Sequence, residues 1–195
     1  MAPTNEMPSL TKTDRVVLYI IARLKGELGR TKLIKMAYLS DYLGRLLLSR
    51  PITSFKYKLF ERGPFDPAFY KAVEALQSGG YIAEQFMPEW DGYRYDVKKE
   101  PLPMNLPSEE MFILDRVIDE YGRLPLEALL DEVVYKTEPA RRAKEAAVVR
   151  APLDLESVNG RLRDRFGFDL AAYLRSEAAR KKGDMVSMED LIGKL

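Results

Sequence analysis

Val17, Ile20, Ile21, Leu24 and Leu28 recur at the three- and four-residue spacing of one helical face. Thr11-Lys12-Thr13-Asp14 stands just before most of them as a capping box. The pattern therefore predicts an amphipathic helix from Lys12 to Glu27, with Gly29 as its left-handed stop. Thr31 is the expected cap of a second helix reaching about Ser49. Leu33, Met36, Leu43, Leu46 and Leu47 share one broad face of it, and Ile34, Tyr38, Asp41 and Tyr42 lie beside that face. Pro51 is expected to end it. The period then changes. Phe55-Lys56-Tyr57-Lys58-Leu59-Phe60 alternates apolar and polar positions, as a half-buried strand does. Gly63-Pro64 reads as a turn, and Asp66-Pro67 as the start of a third helix with Phe69, Ala72, Val73 and Leu76 inward. Gly79-Gly80 closes that helix. Tyr81 to Phe86 and Tyr93 to Lys98 follow as strands joined through Asp91-Gly92, a hairpin signal.

Helix, helix, short strand, helix, hairpin is the order of a winged-helix unit, assigned to residues 11–100 behind a loose arm of residues 1–10. Pro101, Pro103 and Pro107 make a stiff connector into a helical pair over residues 101–150. Its first helix starts at Ser108, carries Phe112, Leu114, Val117, Ile118 and Tyr121, and stops at Gly122. Pro125 to Tyr135 supplies a shorter helix, and Arg141 to Val149 reads as helical too. Leu155, Val158, Leu162 and Phe166 extend the helical spacing into residues 151–195, with a final helix capped by Asp169 and ending in Arg180-Lys181-Lys182. The expected class is α+β, mostly α-helical, with a β-hairpin and additional C-terminal helices.

Composition changes this picture mainly by exclusion. The 195 residues include no His and no Cys. Thiolate nucleophiles, imidazole bases, Ser-His dyads and the usual structural zinc sites are therefore ruled out. Asp14, Asp41, Asp66 and Asp91 have no spacing that forces two carboxylates onto one site, and Gly79-Gly80 ends a helix instead of opening a phosphate loop. No catalytic, metal-ligating or cofactor-binding residue is expected. The N-terminal residues lack a secretory pattern and no apolar run reaches the roughly 20 residues of a membrane span. A cytoplasmic location with no membrane partner is expected.

The net charge of +1 makes no overall electrostatic case for nucleic acid. The stretch from Lys12 to Arg62 is nonetheless rich in Lys and Arg, whereas Glu109 to Glu138 leans acidic. Such a run is either a solvated helical surface or a basic face.

Lys32-Leu33-Ile34-Lys35-Met36-Ala37-Tyr38-Leu39-Ser40-Asp41, then Arg50-Pro51-Ile52-Thr53, then Arg62-Gly63-Pro64 occur in the order and spacing of a known family. The chain resembles the SocA-like antitoxin, or Panacea, domain over roughly Thr11 to Ala147. Leu129 to Pro139 is similar to the family's last motif, a short helix ahead of a proline. Phe65-Asp66-Pro67 and the leucine-rich run after Tyr42 also resemble a neighbouring group of prokaryotic proteins, the YwgA-like ones. Arg62 stands where the family typically has an aromatic residue. The resemblance implies a small prokaryotic protein that binds and neutralises a toxin encoded beside it. In at least one branch it implies an adaptor that hands the toxin to an ATP-dependent protease. Neither role requires a catalytic residue.

The residues themselves leave alternatives open. A shielded Asp41 needs hydrogen bonds or a charge partner. Lys35 or a backbone N–H of the bend from Arg50 to Thr53 would serve, making Asp41 a structural clamp; otherwise it takes part in recognition. Arg62 is either an anchor for an acidic partner or locally paired with Glu61 or Asp66. Most of the aromatics Tyr57, Phe60, Phe65, Phe69 and Tyr70 are expected in the core, and any left exposed would make a binding hot spot. The candidate partner-binding set is Tyr38, Asp41, Arg62, Gly63, Pro64 and Phe65. The alternative is a winged-helix DNA-binding regulator using Arg15, Lys32, Lys35 and Lys56. Its third helix is a poor base reader, with only Lys71 and Gln77 against Glu74. The sequence leaves homo-oligomerisation open.

Overall fold

The computed structural model describes residues 9–24, 28–90, 92–99, 104–148 and 150–158, all within the compact unit Met1–Gly160. Expectations for residues 1–8, for the connector prolines 101 and 103, and for helices beyond residue 158 lie outside the described residues.

Helix α1 (Lys12–Leu24) opens on the predicted capping box. The Thr11 amide donates to Asp14 Oδ2 at 2.8 Å, and the Asp14 amide donates back to Thr11 Oγ1 at 3.1 Å. Helix α2 (Arg30–Leu48) starts one residue before the expected cap, with Gly29 at the N-cap position and no side-chain cap. Gly29 is extended (φ −81°), so it is not the left-handed stop expected of it. That conformation falls instead on Ser49 (φ 61°), which ends α2 two residues before Pro51.

Helix α2 is the centre of the fold. It packs against α1, against helix α4 (Ser108–Tyr121) and against the short strand β2 (Gly63–Phe65). Every residue from Leu33 to Gly44 is buried. A helix covered on all sides ordinarily is apolar all round. Lys35, Ser40 and Asp41 break that rule, so each requires an internal partner.

The predicted strand 55–60 is shortened to β1 (Lys58–Phe60), and the predicted Gly63-Pro64 turn is itself strand. The reversal falls on Glu61-Arg62, with Phe60 opposite Gly63 and Leu59 opposite Pro64. Gly63 at φ +83° gives this tight reversal a backbone that other residues rarely adopt. Residues 54–57 run irregularly because their polar groups bond to side chains. The Ser54 amide donates to Thr13 Oγ1 and the Lys56 amide to Asp66 Oδ2.

Helix α3 (Ala68–Ser78) buries the expected stripe of Phe69, Ala72, Val73 and Leu76, with Asp66 Oδ1 accepting from the Ala68 amide. Strands β3 (Ile82–Met87) and β4 (Gly92–Val97) form the expected antiparallel hairpin, closed by a 3-10 turn at Pro88–Trp90. After α4, the segment predicted as one short helix is broken into α5 (Leu126–Ala128), a π-helical turn (Leu129–Val133) and a 3-10 turn (Val134–Lys136). Helix α6 (Glu138–Glu145) starts three residues before the predicted Arg141, with Pro139 in its first turn. The molecule is thus mostly helical, with small antiparallel hairpins and additional helices after them.

Leu155 and Val158 are buried but not helical. The chain before them pairs with β1: the Leu59 amide donates to Ala151 O, the Arg150 amide to Leu59 O and the Leu153 amide to Tyr57 O. Backbone pairing along β1 therefore wins over the helical spacing of those apolar residues. Among the described residues no helix is long and apolar enough to cross a membrane.

Candidate functional site

The family-like motif residues of α2 turn inward and bind three separate segments. Asp41 is 0% exposed and accepts four hydrogen bonds. Oδ1 receives the amides of Ile52 (2.7 Å) and Thr53 (2.6 Å); Oδ2 receives the hydroxyls of Thr53 (2.5 Å) and Tyr57 (2.7 Å). Burial pushes the Asp41 carboxyl upward from its ordinary pKa, and the four donors pull it back. The bend from Arg50 to Thr53 is therefore its partner, as one of the sequence readings had it. Gly44 allows that bend to lie against α2, for a Cβ there would stand 2.9 Å from Arg50 O. Arg50 itself leaves the helix end to pair with Glu109 and the fully buried Glu110 of α4, which Lys12 of α1 also contacts.

Tyr38, also 0% exposed, meets Tyr57 edge-on with ring centroids 5.1 Å apart. Its hydroxyl shares a 2.8 Å hydrogen bond with Thr137 Oγ1, which in turn donates to Val134 O. The Tyr57 hydroxyl, donating to Asp41, has its pKa pushed well up by burial. Sequence reasoning missed Tyr57 and Thr137 as members of this network. Tyr57 was visible only as an inward position of a strand, and Thr137 only as part of a short motif ahead of Pro139.

Lys35 is 2% exposed, and its Nζ donates to Pro64 O at 2.7 Å. No carboxylate pairs with it among the described residues, and burial alone lowers its pKa to about 7. It was expected among the surface cations of the DNA-binding alternative; the structure puts it in the core, where it holds β2 onto α2.

The candidate residues therefore separate into two groups. Tyr38, Asp41, Gly63 and Pro64 are buried. Arg62 is exposed on the β1–β2 turn and makes no hydrogen bond or ion pair among the described residues, because Asp66 is taken up by the amides of Lys56 and Ala68. Phe65 is half-buried, its ring 5.5 Å from those of Phe60 and Tyr70. Tyr70, on α3, is 51% exposed. Sequence reasoning had placed it among the aromatics around the turn but not in the candidate set.

Arg62 and Tyr70 stand on the rim of two adjoining depressions. The larger, about 1330 Å³, is open and contains Arg23, Arg30, Lys32 and Arg123 with Asp119. Arg23 pairs with Asp115 and Asp119, and Arg30 forms a two-pronged pair with Glu84 while lying over the Tyr93 ring. Exposed Arg123, like Arg62, has no ion-pair partner among the described residues. The smaller depression, about 190 Å³, runs between Arg62, Gly63, Phe65 and Tyr70 and the α2 residues Ile34 and Lys35. Of the DNA-alternative residues, Arg15 donates to Leu10 O, Lys56 is exposed and Lys32 is half-buried. Helix α3 turns Tyr70, Lys71, Glu74 and Gln77 outward.

No group of His, Cys, Asp or Glu side chains that could hold a metal occurs among the described residues. What the motif builds is an internal clamp, one helix tying the bend at 50–53, the turn at 63–64 and the segment at 134–137 into a scaffold. A family model for the antitoxin SocA-like, Panacea domain matches residues 33–138, more than half of the chain, and the chain belongs to that family. A non-enzymatic, protein-binding role and, in general, a toxin as partner go with this membership. The match begins just before Lys35 and ends just after Thr137, so its limits coincide with those of the clamp. No curated protein and no solved structure matches the chain.

Proposed function

We propose that this protein neutralises a toxin by binding it directly through the surface around Arg62, Phe65 and Tyr70. The carrying observation is the exposure of Arg62, without a counter-ion among the described residues, beside a half-exposed tyrosine, on a turn that the buried clamp holds fixed. Arg and Tyr are the residue types that dominate binding hot spots, and a rigid base reduces the ordering cost of contact. Tyr38, Asp41, Gly63 and Pro64 support this surface from beneath. An adaptor role, delivering the bound toxin to an ATP-dependent protease, would use the same surface.

Co-expression with the neighbouring gene tests the reading. Growth arrest by the neighbour alone, relieved by this chain and not by R62E or Y70A variants that remain folded, supports it. A toxin whose level falls only in a host with its ATP-dependent proteases intact separates the adaptor from simple masking. Full rescue by both folded variants refutes the proposed surface. Failure of the wild-type chain to relieve arrest refutes the antitoxin role for that pair.

A further inference from the structure

The 190 Å³ depression beside Gly63 has an unusual chemistry for its size. It falls below the roughly 300–1,000 Å³ of ordinary small-molecule sites, leaving room for one side chain. Its walls are apolar and aromatic, including Ile34, Phe65, Phe69 and Tyr70. Among the described residues its charged groups are Lys35, Arg62 and Arg30, with no carboxylate in its lining. Arg30 is already paired with Glu84. Arg62 is unpaired at the rim, and Lys35 spends one of its three ammonium donors on Pro64 O, its single hydrogen bond among the described residues.

Gly63 lies directly beside the end of Lys35. A Cβ at residue 63 would stand 3.3 Å from Lys35 Cε. A buried ammonium without a counter-ion is costly, and a carboxylate brought next to it recovers that cost through a charge-assisted hydrogen bond. A phosphodiester backbone suits this shape poorly, since it meets proteins along exposed cations and remains solvated.

We propose that this depression is the receptor for an acidic side chain, Glu or Asp, presented by the protein partner, with Lys35 binding the carboxylate and Arg62 guiding it in. The inference rests on the protein-binding reading of the same surface and specifies the chemistry that the partner must offer. The Ile34, Phe65 and Tyr70 side chains would cover the stem of the inserted residue and exclude water from the ion pair.

The test uses the isotope-labelled full chain and an acetylated, amidated hexaglutamate peptide, with hexaglutamine as the neutral control. Saturable shifts of the Gly63 and Phe65 amide resonances by hexaglutamate, and none by hexaglutamine, are expected. K35M and R62E, checked for retained fold by their spectra, should each weaken the binding about tenfold or more. Shifts confined to Arg62 and Arg123, unchanged in K35M, overturn the proposal, as does the absence of any shift. Stronger binding of a short DNA duplex or inorganic phosphate at Gly63 also overturns it in favour of a phosphate site. Undiminished toxin neutralisation by K35M would remove the pocket while leaving the antitoxin reading intact. Hexaglutamate binding at Gly63 by a chain that fails to neutralise any neighbour would do the reverse.

Discussion

Replacing Lys35 with Met should make this protein more stable at neutral and acid pH, and the gain should fade as the pH rises. The ammonium group has an ordinary pKa of 10.5, and burial lowers it to about 7 in the folded state. Each pKa unit is worth about 1.4 kcal/mol, so charging Lys35 costs roughly 5 kcal/mol more inside the fold than in the unfolded chain. Below pH 7 both folded and unfolded chains carry the proton, and the folded state bears the whole penalty. Between about 7 and 10.5 the unfolded chain holds more protons than the folded one, so stability rises with pH by at most about 1.4 kcal/mol per unit. Met fills a similar volume and carries no charge, but it leaves Pro64 O without its donor, a loss of about 1 kcal/mol.

K35M is therefore expected to exceed wild type by several kcal/mol at pH 6, and the difference should shrink by about 3 kcal/mol at pH 9. Urea unfolding followed by far-ultraviolet circular dichroism at both pH values measures it. With no His and no Cys in the chain, few other groups titrate in that window, and those common to both proteins cancel in the comparison. A difference that stays constant from pH 6 to pH 9, or a K35M protein less stable than wild type at pH 6, would refute a Lys35 whose charged form is penalised by burial.

Asp41→Ala should cost about 3–5 kcal/mol of unfolding free energy, because four buried donors lose their acceptor at once; Asp41→Asn, which keeps Oδ1 for the two amides, should cost less. Tyr57→Phe should cost about 1–3 kcal/mol in the same denaturation assay, because buried Asp41 Oδ2 loses a donor. Gly63→Ala is expected to lower the melting temperature and to loosen β2, since its Cβ would approach Leu130 Cδ2 to 2.9 Å at a φ of +83°. Tyr70→Ala should leave the melting temperature within a few degrees of wild type while abolishing toxin neutralisation, a separation that thermal melts and growth assays read independently.

The helices were legible because their signals are local. The Thr11–Asp14 capping box and the stripe on α3 each depend on residues within one or two turns, and both are found where the spacing placed them. Long-range competition explains the rest. Phe55 to Tyr57 alternates like a strand, but Thr13 and Asp66 accept hydrogen bonds from the Ser54 and Lys56 amides and draw the chain out of a ladder. Leu155 and Val158 are spaced like a helix, but the preceding residues 150–153 take the free edge of β1. Position-by-position periodicity contains neither partner. The site was legible in half. That Asp41 required shielding and a bend as its partner followed from its neighbours, whereas the Tyr38–Thr137 bond joins positions 99 residues apart. Lys35 misled for a physical reason: lysine is almost never fully buried, so sequence reasoning ranks it as surface.

The separation between buried motif and exposed rim bears on how partner choice is written into this chain. Tyr38, Asp41 and Thr137 tie the bend at 50–53 and the segment at 134–137 to one helix, and replacing any of them removes a buried hydrogen bond. Arg62, Tyr70 and Arg123 make no such demand on the core. Surface substitutions away from caps and networks ordinarily change stability by less than about half a kcal/mol. The exposed rim is thus free to vary while the clamp is not. On the proposed reading, the clamp serves the scaffold and the charge and shape of the rim select the partner. A chain with this clamp and a different residue at position 62 is accordingly expected to keep the fold and exchange the toxin it binds. Grafting Arg62 and Tyr70 onto such a scaffold, with neutralisation of this chain's partner as the readout, tests that division directly.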